Sequence, residues 1–250
     1  GMNYLMPHPI VATSFSADFS VEVFRGVEHA ELTHRPDEVT PIVPREGATT
    51  AFRLAWSFDT TRRDVWSISK GRGGQGSLSL RCRLPGFGAE GLSFDLSYRM
   101  RRYLTMPWHD AHVLSLGLQG GFTGGTSEEV ELFEVGGVPR QDIVSALLSR
   151  VHAGPVWLRG FLPNAFSASA YHLASVEYRF PIIRVRRGLD TLPLFARDFS
   201  AALFSDAAWT LPEGETLTLR REDIHVGLGA EMRMTTDLLF SFRAHFRLGY

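Results

Sequence analysis

The side chains in this sequence with the most to say chemically are arginines and carboxylates. Leu158-Arg159-Gly160-Phe161 places a guanidinium in a polar stretch punctuated by glycine and proline. Just downstream, Ser175, Glu177 and Arg179 share one face of an extended segment, and Ala174, Val176, Tyr178 and Phe180 share the other. A charged strand face beside a loop arginine points to a wet interior lined by ion pairs. Other chemistry is thin. His109, Asp110 and His112 follow Pro107-Trp108 in a turn, too few ligands for a metal site, so rim polarity accounts for them better. Ser, His and Asp abound, but no Gly-x-Ser-x-Gly elbow singles out a nucleophile. The glycine-rich tract Gly71 to Gly76 lacks the glycine-lysine-serine ending of a phosphate loop and predicts a turn. No catalytic residue, metal ligand or cofactor is expected, and the chain reads as non-enzymatic.

Composition narrows the classes further. The 250 residues are 44% hydrophobic and 12% aromatic, enough to bury surface, which excludes wholesale disorder. A formal net charge of -1 argues against a nucleic-acid partner held by phosphate neutralisation. Lys70 is the lone lysine among the basic residues, and the planar guanidinium of arginine suits crowded polar interiors where it forks onto carboxylates. Cys82 is the single cysteine, so no disulfide framework or cysteine-rich metal site is available. No stretch approaches the ~18 apolar residues of a membrane-spanning helix. The start, GMNYLMPHPIVATSF, lacks the pattern of a secretory signal, and a signal removed earlier would leave no trace there.

The elements that must position the charged residues read as strands almost throughout. Val11, Thr13, Phe15, Ala17, Phe19, Val21 and Val23 alternate with small and acidic residues. Residues 26 to 34 suggest a short strand and 35 to 48 a connector. Phe52, Leu54, Trp56 and Phe58 follow, then Leu78, Leu80, Cys82 and Leu84, then Leu92, Phe94, Leu96, Tyr98 and Met100, then Leu114, Leu116 and Leu118. Glycines at 117, 120, 121, 124 and 125 are expected to end that strand and open a long insertion, with a short helical piece at Gln141 to Val151. Further strands are expected at about 195 to 210, 219 to 234 and 237 to 250. Two architectures suit such alternation: a soluble sandwich or barrel with its apolar face inward, and a membrane barrel with that face outward. Soluble strands average ~5 to 6 residues, whereas tilted strands crossing a bilayer need ~9 to 11. Several segments here alternate for ten residues or more, which favours the membrane. Trp56, Trp66, Tyr98, Tyr103, Trp108, Tyr178 and Trp209 lie towards strand ends, as an interfacial aromatic girdle would.

Several motifs then match one family in order. Leu158-Arg159-Gly160-Phe161 resembles the arginine-glycine-aromatic motif in the sixth extracellular loop of the BamA and TamA superfamily, the surface-antigen family of outer-membrane barrels. Val176-Glu177-Tyr178-Arg179-Phe180-Pro181-Ile182 is similar to that family's next strand. Ala202-Leu203-Phe204-Ser205-Asp206-Ala207 resembles the one after, where an inward aspartate follows an aromatic residue. Gly227-Leu228-Gly229-Ala230-Glu231-Met232-Arg233 and Leu239-Phe240-Ser241-Phe242-Arg243 resemble the two that follow. The order holds from about 150 to 250, and the upstream strands are compatible but less diagnostic.

The resemblance implies an all-β, antiparallel transmembrane β-barrel, with about ten strands visible here against sixteen in the family. It implies one domain over residues 1-250, with a long loop, 123-167, folded into or over the lumen. It further implies a luminal latch: Arg159, with Gly160 and Phe161, reaching the inner-wall acids Glu177 and Asp206 through charge-assisted hydrogen bonds. For Glu177, pairing with a neighbouring strand's arginine stands equally open. The implied setting is the outer membrane of a Gram-negative type envelope, where a seam opens to insert or translocate polypeptide or lipid. Membrane lipid, client polypeptides and periplasmic partner domains or chains are the implied partners. Two departures weaken client insertion: the sequence contains no POTRA-type domain, and its last strand aligns with the family's penultimate one. A reduced barrel, a fragment completed by another chain and a module cut from a longer protein all fit. A passive outer-membrane pore and a soluble β-sandwich binding module are the alternatives.

Overall fold

The computed structural model describes residues 2–7, 11–24, 47–64, 67–87, 91–126, 132–137, 156–188, 194–212, 214, 220–238 and 242–249. The expected strand at 26 to 34, the helical piece at Gln141 to Val151, and Trp66 lie outside the described residues. Period-two alternation and β-branched or aromatic residues give thirteen strands among the described residues. The first six are β1 (Met2–Pro7), β2 (Ala12–Phe24), β3 (Gly47–Asp59), β4 (Gly73–Arg83), β5 (Ser93–Met106) and β6 (His109–Gly125). Three short ones follow, β7 (Phe133–Gly136), β8 (Val156–Trp157) and β9 (Phe166–Ala168), and then β10 (Ala170–Gly188), β11 (Leu194–Leu211), β12 (Ile224–Leu238) and β13 (Phe242–Gly249). Ten of them form one sheet in the order β1-β2-β3-β4-β5-β6-β10-β11-β12-β13, and every pairing in it is antiparallel. Each neighbour in that sheet is also the next long strand in sequence, but between β6 and β10 the chain detours through β7, β8 and β9. No described helix is long and apolar enough to cross a membrane.

The two faces of the large sheet are inverted relative to a soluble protein. Phe19, Leu54, Leu203 and Leu228 are 55%, 57%, 52% and 73% exposed, and Phe246 is half exposed as well. On the opposite face Asp206 is 1% exposed, and Glu177, Ser175 and Glu231 are buried. A soluble sandwich would show the reverse. With 17, 19 and 18 residues, β6, β10 and β11 exceed the ~9 to 11 needed to cross a bilayer at a tilt. The fold is therefore an all-β, antiparallel transmembrane barrel. Register keeps like with like: Leu54 lies opposite Leu80, Leu80 opposite Leu96, and Leu96 opposite Phe122 on the lipid side. On the inner face Arg81 Nε donates to Asp95 Oδ2 at 2.9 Å.

Two glycine tracts differ from expectation for the same reason. Gly73, Gly74 and Gly76 lie inside β4 rather than in a turn, because the Phe58 ring of the neighbouring strand occupies the space where a Cβ of Gly76 would sit. The glycines from 117 to 125 do not end β6, which runs through them. The Tyr98 ring covers Gly120, and Phe133 and Tyr171 cover Gly121. An aromatic laid over a glycine restores the packing that the glycine lacks. Gly120 lies opposite both Tyr98 and His172, so the Tyr98 hydroxyl reaches across it to His172 Nδ1 at 2.7 Å. His172 in turn stacks on Trp209, ring centroids 5.5 Å apart. Tyr98 and Trp209 thus lie in one lipid-side band over four strands, although Tyr98 sits well inside β5 rather than towards its end as expected. Tyr103 does not join such a band: it points to the inner face and is buried.

Candidate functional site

The site is built where three wall strands meet the detour between β6 and β10. On β10, period two turns Ser175, Glu177 and Arg179 inward. On β11, whose Asp206 lies opposite Ser175, the same period turns Phe204 and Asp206 inward. On β12 it turns Gly227, Glu231 and Arg233 inward, with Gly227 opposite Asp206. The detour forms a small sheet in the order β8-β7-β9, with β7 and β8 parallel. Leu158 N donates to the Gly136 carbonyl at 2.6 Å, and Gly137 N to the Leu162 carbonyl at 2.8 Å. This small sheet is seated by apolar contact. Phe133, Val135, Val156 and Leu158 pack with Tyr171, Leu173 and Ala208 of the wall into one buried cluster.

Arg159 follows directly from that anchored segment. Its Nε donates to Asp206 Oδ2 at 2.6 Å and its Nη2 to Asp206 Oδ1 at 2.7 Å, a two-pronged fork. Its Nη1 donates to Glu177 Oε2 at 3.0 Å. The guanidinium carbon lies 3.7 Å from the centroid of the Phe204 ring, in cation-π geometry. The other oxygen of Glu177, Oε1, accepts from Arg179 Nε at 2.6 Å and from Arg233 Nη2 at 2.7 Å. Arg233 Nη2 also donates to Glu231 Oε2 at 2.7 Å. The result is a chain of alternating charge, Asp206, Arg159, Glu177, Arg233 and Glu231, with Arg179 at its side. Such a network satisfies both oxygens of Asp206 and of Glu177, which offsets the desolvation of burying them.

Two glycines let the loop come this close. Gly160 has φ +92, the left-handed region where a Cβ is strained. A Cβ on Gly227 would run into the Arg159 carbonyl oxygen. Loop backbone therefore lies directly against wall backbone, and the guanidinium enters at a fixed depth.

Of the residues singled out in sequence, Arg159, Glu177 and Asp206 come together in one cluster. Gly160 forms the turn. Phe161 does not touch the acids: it packs on Phe166 and His225, with ring centroids 5.5 and 6.0 Å away. For Glu177 the two alternatives of loop and wall arginine both hold, one on each oxygen. Phe204 and Arg233 were not assigned a part, although Phe204 sits two residues before Asp206 and so shares its face. His109 and His112 lie by the β5–β6 turn with ring centroids 4.8 Å apart, and His112 Nδ1 is 2.6 Å from the Tyr178 hydroxyl. Among the described residues no group of three His, Cys, Asp or Glu side chains could hold a metal ion. The geometry of the Arg159 cluster provides charge pairing and mechanical restraint.

No protein-family model matches the chain, and no curated protein matches it in sequence. Among solved structures, the crystal structure of BamA from Haemophilus ducreyi lacking POTRA domains 1-3 is similar at a TM-score of 0.57 with 11% sequence identity. The match covers 97% of this chain and 52% of that one. This chain has the fold of an outer-membrane β-barrel. It spans about half the length of the BamA chain it resembles, 52%, and at 11% identity the likeness concerns the fold alone.

Proposed function

We propose that the protein is an outer-membrane barrel of the assembly and translocation kind, letting polypeptide or lipid into the bilayer through an openable seam. In this reading residues 1-250 form one barrel domain. Arg159 is the latch that holds the long loop, 123-167, against the luminal wall in one state of the barrel. The observation that carries it is the Arg159 fork on Asp206 with its third bond to Glu177. Seam opening is supported by the sheet order, in which β1 and β13 stand at the two edges among the described residues. Membrane lipid would surround the barrel, client polypeptides would engage the seam, and periplasmic domains or chains would deliver them.

The test compares wild type with Arg159→Ala in two assays: heat-modifiable gel mobility, and insertion of a model barrel substrate into proteoliposomes. The variant should unfold at a lower temperature and lose insertion. Unchanged behaviour in both assays would sink the latch. A passive pore is the second reading, favoured by a luminal cavity of about 450 Å³ beneath the loop. Steady conductance in planar bilayers from a protein that inserts no substrate would select it.

A further inference from the structure

The luminal cavity of about 450 Å³ contains more positive charge than the latch uses. Five arginines line it, Arg99, Arg101, Arg159, Arg179 and Arg233, against two carboxylates, Glu177 and Asp206. Both carboxylates are spoken for. Asp206 gives both oxygens to Arg159, and Glu177 gives one to Arg159 and the other to Arg179 and Arg233. Arg99 and Arg101 are left with no carboxylate within ion-pair distance among the described residues. They stand two residues apart on the inner face of β5, roughly 7 Å between Cα atoms. That spacing lets two guanidinium forks converge on one small oxyanion. Gly117, opposite Arg101, has no side chain to fill the space between them and Ser175. The amide of Gln119, opposite Arg99, and the hydroxyl of Ser175 line the same cavity as neutral hydrogen-bond donors.

We propose that Arg99 and Arg101, with Gln119 and Ser175, form a luminal binding site for a phosphate group, either free or carried on a lipid headgroup. Two guanidinium groups in a partly enclosed lumen repel one another, and a dianionic oxyanion removes that repulsion while satisfying donors the wall leaves open. The site shares this cavity with the latch but not its ion pairs, which involve neither Arg99 nor Arg101.

The purified full chain in a zwitterionic detergent is titrated with inorganic phosphate at constant ionic strength made up with chloride, and the thermal unfolding midpoint is read by gel mobility. The midpoint should rise saturably for wild type and for Arg53→Gln, an exposed arginine of β3 outside the cavity. Arg99→Gln/Arg101→Gln should need at least tenfold more phosphate for half the shift. Arg99→Lys/Arg101→Lys keeps the charge, removes the forks and guards against misfolding of the first variant; it should need several-fold more. A parallel titration with water-soluble dihexanoyl phosphatidic acid separates the sources. A response to phosphate assigns a free oxyanion, and a response to the lipid alone assigns a headgroup. No saturable response to either probe, or the same response in all four proteins, overturns the site.

Discussion

Removing Arg159 and removing Glu177 should not be equivalent, because Glu177 also accepts from Arg179 and Arg233 whereas both oxygens of Asp206 are taken by Arg159. Asp206 is 1% exposed and each of its carboxylate oxygens accepts a hydrogen bond from Arg159. Arg159→Ala therefore leaves a buried carboxylate uncompensated, a loss of about 3 kcal/mol. Glu177→Gln leaves Arg159 still forked on Asp206 and Arg233 still bonded to Glu231, so its effect should be smaller. The double variant Arg159→Ala/Asp206→Ala should unfold less readily than the sum of the single changes predicts, since it deletes the stranded charge together with its partner. Urea unfolding in detergent for the four-protein cycle measures the coupling, and strict additivity would count against the fork. Arg159, Glu177 and Asp206 were legible from strand parity and motif order. The Arg233 contribution was not, because nothing in the order of residues tells that the arginine of β12 comes level with an acid on β10, two strands away.

At the scale of elements, glycine spacing decides how closely the parts approach. Gly227→Ala puts a methyl where the Arg159 carbonyl oxygen lies, although neither charged partner changes. It should push the loop from the wall and raise its sensitivity to protease in folded protein, with a latch defect approaching that of Arg159→Ala. A loop equally resistant in Gly227→Ala and wild type would show that the wall yields instead. Strand existence was legible here because period two is a local signal. Glycine was the point of failure: within β4 and β6 it looks like punctuation, and only the rings of Phe58, Tyr98, Phe133 and Tyr171, brought from other segments, show why the strand continues. The sheet of β7, β8 and β9 was equally hidden. Its strands have 4, 2 and 3 residues, too short for any periodicity, and one of its pairings is parallel.

For the whole molecule, the outward apolar face is the claim most open to measurement. Leu228 is 73% exposed on β12, inward along the strand from the end marked by Trp209, which pairs with Ile224. In a bilayer Leu228→Arg should cost about 2 to 4 kcal/mol and lower refolding yield into liposomes. Leu162→Arg, on a loop residue that is 74% exposed, should leave the yield unchanged. Equal yields for both would mean that Leu228 does not face lipid. The barrel class was readable from the length of the alternating runs. The outward apolar face followed from that length as well, since alternation alone is the same pattern for lipid or a dry core, and the exposure of Leu228 with the burial of Asp206 agrees with it.

The other neighbouring long strands follow one another directly in the order of strands, whereas β6 and β10 meet only after the chain has travelled through β7, β8 and β9 over residues 126–169. Closing a loop of that size costs about 2 kcal/mol more entropy than closing a four-residue turn. Folding should then proceed as two locally zipped blocks, β1 to β6 and β10 to β13, whose joining is the slow event. Shortening the connection should quicken that step alone, and two separately made halves, severed between 138 and 155, should find each other and rebuild the sheet.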